Sequence, residues 1–384
     1  MLFSYANPTQ ILFGQGQIAA ISKQIPTDRR VLLVYGGGSI KKNGVYDQVI
    51  TALSKHQMVE FAGIEPNPTI ETLDKAVQLA RESQTDFILA VGGGSVIDGA
   101  KYIAAAIHHE GGGWDILLGK QKIKQATPIG AILTIPATGS ESNNNSVVTK
   151  AATHEKLSFA SALVRPQFAV MDPQVMQSLP ERLLANGVVD AFVHVCEQYL
   201  TFPAGHLVQD GYAEALLRTL ATLAKTFSQR DDQWHANLMW AANQALNGLI
   251  GVGVAQDWAT HMIGHELTAT YGVDHARSLA IVQPSLLRHE IDHKRAKLEQ
   301  MGQNVFGLSG GADLAERTID QIEQLYQSVD VATQLTEYQA KGQSKDQAIE
   351  QILGLLQQHG MLKLGEHQAI DLHASREILT QAVA

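Results

Sequence analysis

The sequence predicts two domains: an α/β domain on a parallel sheet over residues 1–180, then an all-helical domain over residues 181–384. Three observations lead there. Short continuous apolar runs end in glycine or another turn residue, a helix-periodic segment lies between two of them, and strand signals stop after about Pro180. A chain of 384 residues also exceeds what one ordinary core accommodates.

The elements follow in order. RVLLVY (Arg30–Tyr35) runs into GGGS (Gly36–Ser39), and DFILAV (Asp86–Val91) runs into a second GGGS (Gly92–Ser95). Uninterrupted apolar runs suit strands buried on both faces, as in parallel sheets. Between them, IETLDKAVQLARE (Ile70–Glu82) has apolar residues at helical spacing and opens after Asn67, Pro68 and Thr69, a helix-start signal. A third apolar run, Ile129–Ile135, precedes PATGSE, and a fourth, Phe168–Met171, ends at Asp172 and Pro173. Beyond these, the leucine- and alanine-rich stretches 181–200, 208–228, 234–250 and 257–271 read as helices, and Gln339–Lys345 reads as a surface loop. The two GGGS stretches are read as two similar strand-to-helix turns rather than a duplicated domain.

Composition narrows the function. Hydrophobic residues make up 45% and charged residues 17%, which is globular rather than disordered. The formal charge of −9, without a long basic run, argues against nucleic acid or an anionic membrane as partner. MLFSYANPTQILFG at the start lacks a charged leader with an apolar block, and no apolar stretch approaches the ~20 residues a bilayer requires. The only cysteine, Cys196, has no partner for an internal disulfide. A cytoplasmic protein is expected.

Glycine after a strand lets the backbone approach a ligand, and a following helix N-terminus aims N–H groups at a phosphate. Two such turns on one sheet edge point to a dinucleotide, although two ligand-free tight turns would carry the same residues and the pattern is not GxGxxG. An acidic residue at the first turn would repel a 2′-phosphate by about 4 kcal/mol at 4 Å and an effective dielectric near 20. Here the turn ends in Ser39, with Lys41 and Lys42 beyond, which favours NADP(H) over NAD(H).

DAFVH places Asp190 and His194 one helical turn apart, and HMIGH repeats the spacing with His261 and His265. In one unbroken helix His261 and His275 would lie about 21 Å apart. Gly272 is a helix-stop signal, and a reversal there returns His275 toward the preceding helix. Asp190, His194, His261 and His275 would then form an N₃O set suited to Zn²⁺ or Fe²⁺. Each histidine alone reads as an ordinary core or surface residue. Cys196 reads as a buried helix residue, Trp240 and Trp258 as packing, and His108, His109 and the His289–His293 segment as solvated.

With these motifs in place, the chain resembles the iron-containing (group III) alcohol dehydrogenase family along nearly its whole length. The resemblance rests on PTQILFGQG (8–16), GIEPNPT (63–69), VGGGSVID (91–98), IPATGSESN (135–143), NGVVDAFVH (186–194) and DWATHMIGH (257–265). It looks nearest the butanol-dehydrogenase-like branch, which includes broad-range NADPH-dependent aldehyde reductases. The resemblance implies a Rossmann-like first domain within a dehydroquinate synthase-like architecture. It implies Asp190, His194, His261 and His275 as metal ligands, Gly37, Gly38 and Ser39 at the adenosine end, and Gly93, Gly94 and Ser95 at the pyrophosphate. Asn67, Asp98, Thr134, Thr138, Asn143 and Lys156 would line the rest of the groove. A homodimer joined through N-terminal strands is also implied. His265 and Asp98 are the catalytic candidates, His265 because it lies one turn beyond His261.

Three departures stand out. Many relatives read Pro-His-Gly where this chain has Asp274, His275 and Ala276; Asn143, Asn144 and Asn145 are more polar than usual; and many NAD-preferring relatives carry Asp where Ser39 stands. The expected reaction is hydride transfer between a nicotinamide and a small alcohol or aldehyde, with a divalent ion as Lewis acid. Two other readings remain: a different reaction on the scaffold, as in glycerol dehydrogenases or dehydroquinate synthases, and a non-catalytic NADP-binding protein. The helical half has no evident Lys/Arg cluster near the metal motif, against a synthase, and all four ligand candidates are present, against the non-catalytic protein.

Overall fold

A computed structural model describes residues 2–153, 155–338 and 343–383. Two compact units are present: Ala6–Pro180 with Asp231–Asn243, and Glu181–Arg230 and Gln244–Ala384 with Met1–Tyr5.

The first unit is built on a six-stranded, wholly parallel sheet. Its strands are β1 (Gln10–Phe13), β2 (Arg30–Tyr35), β3 (Gln57–Ala62), β4 (Phe87–Gly92), β5 (Ile129–Leu133) and β8 (Phe168–Met171), in the order β1-β8-β5-β4-β2-β3. A separate antiparallel hairpin pairs β6 (Asn145–Lys150) with β7 (Glu155–Ala160). Strands β4, β5 and β8 are buried along their whole length, as their unbroken apolar runs require. At about 1.5–3 kcal/mol per buried large aliphatic side chain, Leu32, Leu33, Ile88, Leu89, Ile132 and Val170 anchor the unit. The helix Ile70–Glu82 opens with Thr69 accepting the Thr72 N–H, as the start signal predicts. The third run forms a strand only as far as Leu133, opposite Gly92, the last residue of β4.

The second unit is helical throughout its longer elements. Its helices include Glu181–Tyr199, Leu207–Lys225, Ala259–Tyr271, His275–His289 and Lys345–Gln358. The predicted helix 257–271 begins two residues later, at Ala259, whose N–H donates to Asp257 Oδ1 at 2.8 Å. The predicted 234–250 helix runs instead over Asp232–Ala245. A core of Ile263, Leu267, Ile281, Ile352, Leu356 and Ile378 holds the C-terminal helices together. Of the predicted loop Gln339–Lys345, residues 339–342 lie outside the described residues, and Ser344 caps the helix that opens at Lys345.

Candidate active site

In the helical unit, Asp190, His194 and Glu197 share one face of the Glu181–Tyr199 helix, at spacings of four and three. His261 and His265 lie one turn apart on the Ala259–Tyr271 helix. That helix stops at Gly272, which is left-handed with φ 65°, and the next helix opens at His275. Asp274 accepts from Arg182 Nε at 2.7 Å and Asn186 Nδ2 at 2.8 Å, tying the start of the His275 helix to the helix that carries Asp190. The departure from Pro-His-Gly thus supplies an anchor in place of a rigid turn.

The reversal brings the distant residues together. Ligand atoms of Asp190, His261 and His275 lie within 4.8 Å of one another. Asp190 Oδ1 is 3.6 Å from His275 Nε2. His194 stacks on His261 with ring centroids 4.8 Å apart, its Nε2 3.1 Å from His261 Nε2 and its Nδ1 3.8 Å from Asp190 Oδ2. Burial holds the His194 imidazole below its ordinary pKa, which keeps it neutral with a lone pair to offer. Asp190 is 1% exposed, yet its Oδ1, like His194 Nδ1, has no hydrogen-bond partner among the described residues. A buried unsatisfied acceptor costs about 1–3 kcal/mol, which a cation would offset. Asp190, His261 and His275 converge on this point, while His194 stands beside them, stacked on His261, and a carboxylate with imidazoles fits a divalent metal.

Two neighbours complete the centre. Glu197 accepts from His261 Nδ1 and, at 3.2 Å, from the His261 backbone N–H, turning Nε2 of that ring toward His194 and Asp190. Burial, with Asp257 nearby, pushes the Glu197 carboxyl well above its usual range. The sequence reading missed Glu197, although its position seven residues after Asp190 was a usable signal. Trp258, read as packing, sets its ring edge-on at 5.3 Å from His261 and 6.3 Å from His194, so its packing is against the centre itself. His265 is 7% exposed, with ring centroids 5.4 Å from His275 and 6.1 Å from His261. Cys196 is buried. Trp240 is half-exposed and meets Phe13. His289 Nε2 and His293 Nδ1 lie 3.6 and 2.8 Å from the Glu290 carboxylate, and these residues join no ligand cluster among the described residues.

In the α/β unit, β2 and β4 are neighbours, with Tyr35 opposite Val91, so both glycine turns leave the same sheet edge. The chain passes from β2 outward to β3, then crosses back to β4 and on to β5. Such a reversal opens a crevice at the strand carboxyl ends where ligands bind. Gly38 has φ 92°, and a β-carbon at Gly37 or Gly38 would meet nothing within 4 Å, so the turn presents open backbone. Gly94, at the start of the Gly94–Ala106 helix, is different: a β-carbon there would come within 2.4 Å of Thr138 Oγ1. Asn67, left-handed at φ 55°, donates its N–H to Ser95 Oγ at 3.3 Å and accepts from Lys156 Nζ at 3.0 Å. Asn143 Nδ2 donates to the Thr138 carbonyl at 3.2 Å. Both oxygens of Asp98 are engaged, by Ser140 Oγ at 2.5 Å and the Val147 N–H at 3.0 Å. Asn67, Gly93, Gly94, Ser95, Asp98, Thr134, Thr138, Asn143 and Lys156 therefore surround the β4 turn and its covering loop, and Gly37, Gly38 and Ser39 form the β2 turn.

The family described as iron-containing alcohol dehydrogenase matches residues 8–173, and its C-terminal counterpart, the Fe-containing alcohol dehydrogenase family, matches residues 184–364. The chain belongs to the iron-containing alcohol dehydrogenase family. As a member it is an oxidoreductase. This alcohol dehydrogenase is 49% identical to the NADPH-dependent aldehyde reductase YqhD of Escherichia coli, over 99% of both chains. It is 39% identical to the probable NADH-dependent butanol dehydrogenase 1 of Bacillus subtilis, over 90% of this chain and 91% of that one. The crystal structure of NADH-dependent butanol dehydrogenase A from Thermotoga maritima is similar with a TM-score of 0.93 and 36% identity, covering 100% of this chain and 99% of the other. An α/β domain with a helical domain after it is the architecture of this family, as the sequence predicts.

Proposed function

We propose that the protein is an NADPH-dependent reductase of small aldehydes, in which the α/β unit holds the dinucleotide and the helical unit holds one divalent ion, Zn²⁺ or Fe²⁺. The observation that carries this reading is the convergence of buried Asp190 and His261 with the partly buried His275, with Asp190 Oδ1 lacking a donor. The likeness to an NADPH-dependent aldehyde reductase supports the cofactor and the substrate class.

When bound, NADPH would supply the hydride and the divalent ion a Lewis acid for the substrate oxygen. Asp190, His194, His261 and His275 hold the ion, and Glu197 and Asp274 hold two of those ligands in place. Ser39, exposed at the β2 turn, sets no carboxylate against a 2′-phosphate. Lys41 and Lys42 add positive charge beside it, although the Lys41 ammonium already sits 3.9 Å from Glu60 and 4.5 Å above the Tyr46 ring. Gly93, Gly94 and Ser95 receive the pyrophosphate at a helix N-terminus. His265, beside His261 and His275, would relay a proton to the product oxygen or hold the nicotinamide and substrate. Asp98, with both oxygens occupied, serves the groove as a loop anchor rather than as an acid or base.

Two further readings accompany this one. Strand β1 is an edge strand, and we infer that it joins a second copy in a homodimer. No helix among the described residues is long and apolar enough to cross a membrane, and the single cysteine supports a cytoplasmic setting. Oxidation of NADPH and NADH by a panel of aldehydes tests the function. Turnover with NADPH at a kcat/KM well above that with NADH is expected; NADH preference, or no turnover of any aldehyde by the metal-loaded protein, overturns it.

A further inference from the structure

Lys101 lies in the middle of the Gly94–Ala106 helix and is 0% exposed. Its ammonium donates three hydrogen bonds: to Ser140 Oγ at 2.7 Å, Asn143 Oδ1 at 2.9 Å and the Asn145 carbonyl at 2.7 Å. The acceptors lie along Thr138–Asn145, the loop that leads into β6 together with that strand's first residue. One residue, Ser140, links it onward to Asp98, whose other oxygen holds the Val147 N–H where the hairpin begins. The same helix begins at Gly94, against which Thr138 packs so closely that no β-carbon fits. A single helix therefore presents the glycine turn at its first residue and, one and two turns later, the two charges that tie down the loop covering that turn. The cost of burying a lysine is large unless each of its donors is used, and here three donors meet three acceptors.

We propose that Lys101 is the positioning residue of the dinucleotide site, its buried ammonium holding the Thr138–Asn145 loop against the glycine turn in the shape that receives the cofactor. The proposal rests on the cofactor reading above and adds to it a residue that touches no cofactor. The charged groups around the ammonium are Asp98 on its own helix, Glu141 on the loop, and Arg165 beyond the hairpin, which donates to the Ser142 carbonyl at 2.7 Å. Lys156 on β7 faces Asp98. Burial outweighs the two carboxylates and lowers the Lys101 pKa to about 8. A neutral amine has two N–H donors where the ammonium has three. Loss of the proton thus leaves one of the three loop acceptors without its bond and Asp98 with Lys156 as its remaining nearby cation.

The test is NADPH affinity, measured by nucleotide fluorescence on metal-loaded full-length protein across a pH series. Kd holds steady below pH 8 and weakens by about tenfold above it, as one buried bond is lost. Lys101→Met is expected to bind NADPH about tenfold or more weakly at neutral pH, with the pH step gone. Its KM for NADPH rises while kcat at saturating NADPH stays near wild type, which general unfolding would not reproduce. Should that variant fold poorly, Ser140→Ala leaves the lysine in place but cuts its link to Asp98, and a several-fold weaker Kd is expected. A wild-type Kd unchanged through pH 8, or a Lys101→Met protein that binds NADPH as tightly as wild type, overturns the proposal and leaves the cofactor reading standing. A wild-type protein that binds no NADPH at any pH overturns both.

Discussion

Replacing Glu197 by glutamine separates the metal account from simple packing, because the two make opposite demands on that residue. Glu197 is buried and accepts both the ring Nδ1–H and the backbone N–H of His261. Removing such a partner from a ligating histidine costs about 10–100-fold in metal affinity, or about 1.4–2.8 kcal/mol at 1.4 kcal/mol per tenfold. Glutamine keeps the size and one acceptor oxygen, so Glu197→Gln is expected near the tenfold end. Glu197→Ala loses both acceptors and is expected near the hundredfold end. Without metal the order reverses: burial disfavours the charged carboxylate, so a neutral amide leaves the metal-free melting temperature equal or higher. Competition of the metal-free protein against a chelating dye for Zn²⁺ gives the affinity, and calorimetry gives the melt. Unchanged Zn²⁺ affinity in Glu197→Gln, with a lowered metal-free melt, would refute the reasoning, since Glu197 would then be a packing residue only.

Three other substitutions probe separate parts of the site. Gly94→Ala forces a β-carbon to within 2.4 Å of Thr138 Oγ1 and is expected to cost about 1–3 kcal/mol by overpacking, read by thermal melts; Gly37→Ala, into open space, should leave the melt within about 0.5 kcal/mol while raising KM for NADPH. Ser39→Asp puts a carboxylate beside the 2′-phosphate. The repulsion has a ceiling of about 4 kcal/mol, and because Ser39 is exposed screening reduces it toward about 1 kcal/mol, so the ratio of kcat/KM for NADPH over NADH should fall at least about fivefold. His265→Ala is expected to lower kcat at unchanged metal content; an unchanged kcat at every pH would remove His265 from the proton path.

Much of this was legible because the relevant signals are local. Strands β4, β5 and β8 carry unbroken apolar runs since both their faces are buried, and the glycine that ends a helix at Gly272 announces the reversal that returns His275 to His261. Strand β3 was not legible: QMVEFA is interrupted by Gln57 and Glu60 and neither alternates nor runs apolar, and its Glu60 takes hydroxyl bonds from Tyr35 and Tyr46. Strand β1 is as short as β8 but lies at a sheet edge with both its end residues exposed, so it lacks the fully buried apolar run that marks β8. Lys101 is hidden for a different reason. Nothing beside it in sequence marks it as buried, because its acceptors arrive from a loop about forty residues away. Glu197 lay in plain view on the face of Asp190, but a carboxylate on a helix reads as solvated until a histidine from another helix is placed against it.

The central claim is the metal centre, and the most direct measurement is the metal content of protein purified without added metal, with aldehyde reduction by NADPH recorded before chelation, after it, and after reconstitution. The account predicts close to one divalent ion per chain, activity abolished on chelation and restored by Zn²⁺ or Fe²⁺, and an Asp190→Asn variant that retains little metal. Full activity in protein shown to be free of metal would contradict it.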